Sequence, residues 1–429
     1  MLKKIIDLCK RFWRADIVKV FSLTSISTLV KMLTGLISVK VVSVIIGPGG
    51  IALLGQLNSF STIIYNFASG GINSGVTKYV AENKQSDEKI KSYLSVAFKI
   101  TLYCSLLAGI FMIIFHDFLS KTIMLSNEYG YLFILFGLAV FLYAVNGFLL
   151  SILNGFKELK KFVSINIINA LVGVGFTICL VYFWGLRGAL ISAVTFQSFM
   201  VFITIWMMRR LPWLKLDYFR QRIDKTILKK YTHYALMTFV TAVTVPVSQL
   251  IIRAHIISTV SPIQAGWWEA MNRISGMYVM VITSSFGVYY LPRLSELKNK
   301  LELRHEIFKA YKVILPILCV GFAHIYFFRI FIIKVLFAPD FYPMENLFVW
   351  QLLGDFFKIA SWLLAFLMIA KSMTKTFIAT EIIFSASLVC FSFFFIRMNG
   401  LVGITQAYCL NYLIYFLVMG LIFKKIIFH

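Results

Sequence analysis

Long apolar runs follow one another along almost the whole chain, and short clusters of lysine and arginine separate them. A helix needs about 20 mostly apolar residues to cross the hydrocarbon core of a bilayer. The chain is therefore expected to be an all-α polytopic membrane protein. The runs predict about twelve spans, at 18–46, 51–79, 93–115, 130–153, 162–184, 188–208, 232–258, 263–290, 313–336, 347–370, 376–396 and 403–423.

The composition excludes an ordinary soluble protein. Hydrophobic residues make up 60% of the chain and charged residues only 14%, whereas soluble domains carry about 25% charged residues. The formal charge of +24 would suit a nucleic-acid partner, but the basic residues lie between apolar runs and not on one soluble face. They indicate cytoplasmic loops, so no nucleic-acid partner is expected. The six cysteines show neither zinc nor disulfide spacing.

The distribution of basic residues orients the predicted helices. If the N-terminus is cytoplasmic, about 29 lysines and arginines outside the spans lie on the cytoplasmic side. Only about three, Lys121, Arg187 and Arg397, then lie on the other side. This asymmetry follows the positive-inside rule, so both termini are predicted to be cytoplasmic. The longest loops on the other side, 116–129 and 337–346, leave no room for an extracytoplasmic domain.

The two halves of the chain resemble one another at a shift of about 214 residues. Residues 47–82 align without a gap on 261–296, and Gly-Leu-Arg-Gly at 185–188 matches Gly-Leu-Val-Gly at 400–403. Six helices per repeat give both halves the same orientation, related by a pseudo-two-fold axis along the membrane normal with a central cavity. The predicted parts are an N-terminal lobe at 1–208, a basic cytoplasmic linker at 209–231 and a C-terminal lobe at 232–429.

Charged residues inside the predicted spans point to function, because an ionisable group in a membrane usually faces the bundle interior. They are Lys31, Lys40, Lys99, Arg253, Glu269, Arg273, Asp355 and Lys358. Glu269 and Arg273, at i,i+4, are spaced to neutralise one another on one helix face. Asp355 and Lys358, at i,i+3, could do the same. Each pair is open to a structural or a functional interpretation.

Basic residues outnumber acidic ones in these spans, which predicts a hydrated, cationic cavity for a polyanion such as a pyrophosphate or an acidic sugar. Arginine suits this role because its guanidinium can hold a phosphate with two parallel hydrogen bonds. Lys99 and Arg253 lie near helix ends, so they could instead extend to the lipid headgroups. The predicted anion-binding residues are Lys31, Lys40, Lys99, Arg253, Arg273 and Lys358.

Polar and aromatic residues near these charges are candidates for contacts with sugars, although such residues also hold membrane helices together. They are Asn58, Asn272, Trp267 and Trp268. Asp355 and Glu269 are the predicted carboxylates for coupling transport to a proton or sodium gradient. No metal site and no organic cofactor are expected.

Three segments carry a family resemblance. They read Gly-Val-Thr-Lys-Tyr-Val-Ala at 75–81, Phe-Gly-Val-Tyr-Tyr-Leu-Pro-Arg-Leu-Ser at 286–295 and Trp-Gln-Leu-Leu-Gly-Asp-Phe-Phe-Lys at 350–358. In this order they resemble the Wzx-type flippases of the multidrug/oligosaccharidyl-lipid/polysaccharide (MOP) exporter superfamily. Lys31, Lys40 and Lys78 match basic positions of that family. Asp355 and Lys358 match its Gly-Asp-x-x-Lys segment.

The resemblance implies a transporter of the bacterial inner membrane. Its substrate would be an undecaprenyl-pyrophosphate-linked oligosaccharide, of the O-antigen repeat-unit type. Members move such lipids from the cytoplasmic to the periplasmic leaflet by alternating access between two six-helix lobes around a cationic lumen. The resemblance also implies a polysaccharide polymerase and a chain-length regulator as partner proteins.

Two other functions stay open from the sequence. A drug or small-cation exporter of the same superfamily would be expected to have an acidic lumen, against the basic excess found here. A membrane glycan polymerase or glycosyltransferase would be expected to have a sizeable extracytoplasmic loop with catalytic residues, and no Walker or nucleotide-binding motif is apparent. The sequence therefore favours a flippase, which is a transporter and not an enzyme.

Overall fold

A computed structural model describes residues 16–297 and 299–427, and every regular element among them is helical. The α-helices are α1 (Asp16–Ala68), α2 (Asn73–Asn83), α3 (Asp87–Ile114), α4 (His116–Ile123), α5 (Gly130–Gly155), α6 (Leu159–Met208), α7 (Lys225–Thr259), α8 (Pro262–Ser285), α9 (Leu291–Glu296), α10 (Lys300–Phe327), α11 (Arg329–Leu336), α12 (Phe348–Ala370), α13 (Thr374–Ile422) and α14 (Lys424–Ile427). Short 3-10 turns lie at Asn127–Tyr129, Leu216–Tyr218 and Pro339–Leu347, and a π-helical turn lies at Phe286–Tyr290. The N-terminal basic residues that contributed to the predicted orientation lie outside the described residues.

Three of these helices are much longer than a bilayer is thick, and a glycine breaks each of them. Helices α1, α6 and α13 have 53, 50 and 49 residues. An unbroken helix of that length would extend about 75 Å, against a hydrocarbon core of about 30 Å. Gly47 (φ 64°), Gly185 (φ 55°) and Gly400 (φ 58°) adopt the left-handed region that glycine enters easily. Each long helix therefore consists of two segments.

Eight helices in the described residues are long and apolar enough to cross a membrane, and the three broken helices are among them. Helix α8, with 24 residues, is not one of the eight. It contains Glu269 and Arg273, whose charges lower its hydropathy. A membrane-spanning all-α protein is therefore shown, while the number of spans depends on how the broken helices and α8 are counted.

Two predicted spans have the wrong bounds. The span predicted at 51–79 ends as a helix at Ala68, and two glycines with positive φ, Gly70 and Gly71, turn the chain before α2 begins. The span predicted at 313–336 is interrupted at Phe328, between α10 and α11. Apolar residues continue on both sides of Phe328, so hydropathy does not reveal the second interruption, whereas Ser-Gly-Gly at 69–71 marks the first.

The contacts divide the chain into two compact units. The first unit contains Met1–Val41 and Ile63–Phe239, and the second contains Val42–Thr62 and Val240–His429. The segment on either side of the Gly47 break thus belongs to the second unit, and the predicted linker at 209–231 belongs to the first.

Aromatic side chains hold the beginning of α7 within the first unit. The rings of Tyr79, Tyr93 and Tyr231 lie between 5.1 and 6.2 Å apart, centroid to centroid. Lys230 Nζ also donates a hydrogen bond of 3.0 Å to the Tyr93 hydroxyl. Burial of these large rings stabilises the packing of α2, α3 and α7.

Helix α8 carries the acidic residue at the centre of the candidate site, and its local sequence explains where it begins. Ser261 precedes Pro262, and the Ser261 hydroxyl accepts a hydrogen bond of 3.1 Å from the Gln264 amide. A proline in the first turn lacks an amide hydrogen that would otherwise be unpaired there. Gly266 then lies against Pro48, where an added Cβ would be 1.9 Å from the proline carbonyl oxygen. Only a glycine allows α8 to approach α1 this closely.

Candidate functional site

A carboxylate lies between two guanidinium groups in the second unit. Arg253 Nη2 on α7 donates a hydrogen bond of 2.6 Å to Glu269 Oε2. Arg273 Nε, one turn further along α8, donates one of 3.1 Å to Glu269 Oε1. The pair of Glu269 and Arg273 predicted from their spacing is therefore present. The acidic residue nearest to Arg253 in the sequence is Glu269, 16 positions away, and the structure makes it the partner of Arg253.

Arg253 is buried and almost fully engaged. The whole residue is 1% exposed, and Nη1 donates to Gln56 Oε1 at 3.0 Å and to Ser59 Oγ at 3.3 Å. Nη2 donates to Gln249 at 3.3 Å, and the guanidinium carbon lies 5.5 Å from the Trp268 ring centroid. Of the three guanidinium nitrogens of Arg253, only Nε has no acceptor among the described residues. Arg253 therefore holds α1, α7 and α8 together, and its buried position leaves little of it free for a ligand.

Gly55 provides the space that this cluster occupies. A Cβ at Gly55 would lie 2.6 Å from the carboxyl carbon of Glu269 and 2.9 Å from Arg253 Nε. The second segment of α1 can approach the ion pair only because this residue has no side chain. The sequence gives no signal for this role, because the contact joins residues that are about 200 positions apart.

An open pocket of about 280 Å³ lies over the cluster, and Arg273 is at its edge. The Arg273 side chain is partly exposed and, among the described residues, uses only its Nε in a hydrogen bond. Its terminal nitrogens are therefore available to an anion, for which a guanidinium is well shaped. The other lining residues are Gly55, Asn58, Ser59, Thr62, Val245, Pro246, Gln249, Arg253, Glu269 and Asn272.

A second, more enclosed cavity of about 310 Å³ adjoins this pocket in the same unit and shares Val245, Gln249 and Asn272 with it. Lys358 lies in its wall, with the ammonium nitrogen 5.1 Å from the ring centroids of both Trp362 and Tyr412. Such cation–π contacts stabilise a buried ammonium group. The predicted residue Lys358 therefore borders a cavity, as Arg273 does.

Asp355 is fully buried, and its carboxylate accepts hydrogen bonds from four side chains: Ser275, Tyr278, Gln351 and Tyr408. The direct pair of Asp355 and Lys358 suggested by their spacing is not formed. The Tyr408 hydroxyl lies between them, donating to Asp355 at 2.7 Å and accepting from Lys358 at 3.2 Å. The tyrosine comes from α13, so spacing along α12 could not indicate it.

Glu381 is a charged residue that the sequence prediction missed. It lies on α13 in the wall of the second cavity, and no hydrogen bond or ion pair joins it to the described part of the chain. The signal was present, because an acidic residue at this position falls inside the predicted span 376–396. Throughout residues 16–297 and 299–427, no group of three histidine, cysteine or acidic residues is placed to hold a metal ion.

Lys31 lies in a different pocket, in the first unit. Its Nζ donates a hydrogen bond of 2.7 Å to Asn166, and the pocket of about 370 Å³ also contains Asn169 and Gln197. Lys40 lies further along α1 and is half-buried. Each unit thus carries a pocket with at least one basic residue.

The two predicted tryptophans have different positions. Trp268 is buried against Arg253 and lines the second cavity. Trp267 instead donates a hydrogen bond of 2.8 Å from its indole nitrogen to the Asp340 carbonyl in the segment before α12. Trp267 therefore holds that segment in position. Of the two tryptophans, only Trp268 lines a described cavity beside the charged cluster.

Lys99 holds the loop between α6 and α7, which is predicted to be cytoplasmic. Its Nζ donates a hydrogen bond of 2.6 Å to the Gln221 carbonyl, which also accepts one of 2.8 Å from the Ser95 hydroxyl.

Replacing Lys99 by alanine is expected to leave transport intact and to make chymotrypsin cleave the 209–224 segment a few times faster, because the loop loses this hydrogen bond. The cleavage rate is measured on inverted membrane vesicles. Lys89→Ala, an exposed change on the same helix, is the control. Impaired transport with unchanged cleavage would instead support the predicted anion-binding role.

Several known proteins resemble the chain. The family model described as polysaccharide biosynthesis protein matches residues 17–298. The lipid III flippase of Escherichia coli (strain K12) is 29% identical over 393 residues, covering 92% of this chain and 94% of that protein. An inward-facing multidrug resistance MATE family transporter of the MOP superfamily has a TM-score of 0.75 at 16% identity, covering 92% of this chain and 94% of its own. The lipid II flippase MurJ, in an inward closed conformation, has a TM-score of 0.72 at 14% identity, and the match covers 95% of this chain and 87% of MurJ. The two structures show that the chain shares their fold.

Proposed function

The chain belongs to the polysaccharide biosynthesis protein family, and from this premise we propose that it is a lipid-linked oligosaccharide flippase of the MOP superfamily. Its substrate is an undecaprenyl-pyrophosphate-linked glycan, of the O-antigen repeat-unit type, which it carries from the cytoplasmic to the periplasmic leaflet of the bacterial inner membrane. The similarity to a protein named lipid III flippase supports a lipid-linked substrate. One observation carries the proposal: the terminal guanidinium nitrogens of Arg273 are available to an anion in a pocket within a membrane-spanning unit.

The proposed architecture is twelve spans in two six-helix lobes, at 1–208 and 232–429, with both termini cytoplasmic. Counting each broken helix as two spans and adding α8 to the apolar helices gives this number. Alternating access between the lobes would expose the headgroup first to one side and then to the other. A polysaccharide polymerase and a chain-length regulator are the proposed partner proteins.

In the proposed binding mode, Arg273 holds the pyrophosphate, while Lys31 and Lys40 stay predicted anion-binding residues of the first unit. Asn58 and Asn272 line the pocket beside Arg273, where their amides suit sugar hydroxyls. One carboxylate between two guanidinium groups leaves the cluster with a net positive charge. That charge favours an anionic substrate over the cationic compounds that a drug exporter carries.

Transport needs an energy source, and we propose an ion gradient or the supply and removal of substrate. Asp355 and Glu269 were the predicted coupling carboxylates. Glu269 is engaged by two guanidinium groups and Asp355 by four donors, so a proton or sodium ion would have to displace these contacts. Coupling at either residue therefore requires the helices around it to rearrange.

The test is made in cells from which the gene has been deleted. Surface polysaccharide and cytoplasm-facing lipid-linked repeat unit are both quantified, and the cells are then complemented. Wild type should restore surface glycan and release the trapped precursor. Arg273→Ala should lose about 10- to 100-fold in transport, because a charge-assisted hydrogen bond contributes about 1.5–3 kcal/mol. Arg222→Ala, an exposed loop change, is the control.

Two results would contradict the proposal. If the precursor reaches the periplasmic leaflet normally in the deleted strain and only glycan length changes, the protein is not the flippase and acts with a polymerase. If only tolerance to drugs changes, it exports small molecules. Arg273→Ala behaving like Arg222→Ala would leave a flippase whose anion site lies elsewhere.

A further inference from the structure

The enclosed cavity beside the arginine pocket has no role in the binding mode described so far. We infer that it binds the sugar joined directly to the lipid pyrophosphate, and that it selects an uncharged sugar. The inference rests on the proposed function. It assigns to Lys358, Glu381 and the rings around them the recognition of one sugar ring.

The position of the cavity is the first reason. The arginine pocket and the enclosed cavity share Val245, Gln249 and Asn272, so one wall separates them. In the proposed substrate a sugar is bonded directly to the phosphate. If Arg273 holds the phosphate, that sugar must lie within one ring length of the shared wall.

The chemistry of the lining is the second reason. Trp268, Trp362, Phe384 and Tyr415 supply ring surface, and Gln249 and Asn272 supply amide groups. A pyranose has apolar C–H faces and polar hydroxyls around its edge, so it needs both kinds of surface. Ligand sites usually combine a mostly apolar lining with a few placed polar groups.

The charges in the wall point to an uncharged ligand. Lys358 and Glu381 both line the cavity, and the described residues form no ion pair between them. Their opposite charges offset one another, so neither an anion nor a cation is favoured. A sugar hydroxyl can accept from the ammonium, and another can donate to the carboxylate. A neutral polyhydroxyl ligand therefore satisfies both groups at once.

Two buried polar atoms in the same wall have no partner among the described residues: Ser392 Oγ and Asn272 Nδ2. Ser392 is only 1% exposed. A buried polar group without a hydrogen bond is destabilising, so a retained one indicates a missing partner. Hydroxyl and acyl oxygens of a sugar are acceptors of the required kind.

The experiment uses the full-length protein in nanodiscs and measures the Kd of two lipids. One is undecaprenyl pyrophosphate, and the other carries a single N-acetylhexosamine on the pyrophosphate. Leu388→Trp fills the cavity from α13, and Ile383→Trp places the same ring on the 60% exposed side of that helix as a control. Ser392→Ala removes one unpaired hydroxyl without adding bulk, so it tests the same site in a variant that should fold.

Wild type is expected to bind the sugar-bearing lipid about tenfold more tightly than the bare pyrophosphate lipid. Leu388→Trp should abolish this preference, Ser392→Ala should reduce it a few-fold, and Ile383→Trp should keep it. All four proteins should bind the bare lipid equally. A preference that survives Leu388→Trp and Ser392→Ala, or that wild type lacks, overturns the sugar site while the flippase stands. If wild type binds neither lipid, the proposed function fails as well.

Discussion

Replacing Glu269 by glutamine is expected to destabilise the protein by about 3–5 kcal/mol, because it leaves the buried Arg253 charge without a counter-charge. Arg253 is 1% exposed and its remaining acceptors are the neutral side chains of Gln56, Ser59 and Gln249. The Glu269 side chain is only 10% exposed, so water has little access to replace the lost carboxylate. The measurement is the midpoint of thermal unfolding of the purified protein in detergent, together with the folded yield from membranes.

Two further variants show whether the buried charge is the cause. Glu296→Gln removes a carboxylate that is largely exposed in its contact with Arg293, and it should change stability little. Adding Arg253→Gln to Glu269→Gln removes both charges and should recover much of the lost stability. An unchanged midpoint for Glu269→Gln alone would mean that Arg253 is solvated in the membrane-embedded protein.

The sequence predicts the part of this cluster that lies on one helix. Glu269 and Arg273 are four residues apart, and helix geometry alone places them together. The more deeply buried contact joins Glu269 to Arg253, on a different helix and 16 positions away. The other partners of Arg253, Gln56 and Ser59, are almost 200 positions away from it. Spacing along one helix carries no information about such contacts.

The same limit explains the outcome for Asp355 and Lys358. Their spacing allows a direct pair, but Tyr408 on α13 lies between them and hydrogen-bonds to both. Each group hydrogen-bonds to the hydroxyl, no direct ion pair joins the two, and the rings of Trp362 and Tyr412 stabilise the ammonium in place. Pair rules derived from isolated helices do not include a side chain inserted from a neighbouring helix.

The predicted internal repeat pairs two helix breaks that have similar backbone geometry. Gly185 and Gly400 occupy equivalent places in the repeat and share one backbone conformation, with φ 55° and ψ −130° against φ 58° and ψ −140°. Each motif has a second glycine three residues after the first. A Cβ added at Gly188 would lie 1.9 Å from a backbone carbonyl oxygen of the preceding helical segment, and a Cβ added at Gly403 would lie 2.1 Å from the equivalent oxygen. Both glycines of the motif are needed for the same tight break, which explains why the motif recurs.

Replacing Gly266 by alanine is expected to destabilise the second unit by about 3 kcal/mol or more and to abolish transport. The new Cβ would lie 1.9 Å from the Pro48 carbonyl oxygen, whereas a carbon and an oxygen normally approach no closer than about 3.3 Å. The obstacle is backbone, so no rotation of a side chain relieves it, and α8 must move by more than about 1 Å. Such a shift separates Glu269 on α8 from the α1 segment that carries Gln56.

A matched change on the same helix isolates this close approach from the general effect of adding a methyl group. Gly276→Ala also lies within α8, but nothing is within 4 Å of its added Cβ. It should be neutral or stabilising by about 0.5–1 kcal/mol, because alanine favours a helix interior over glycine. The thermal midpoint and the complementation of surface glycan are measured for both variants. If Gly266→Ala is as stable and active as Gly276→Ala, the close contact of α8 with Pro48 does not exist in the membrane, and the packing that aligns Glu269 with Arg253 must have another origin.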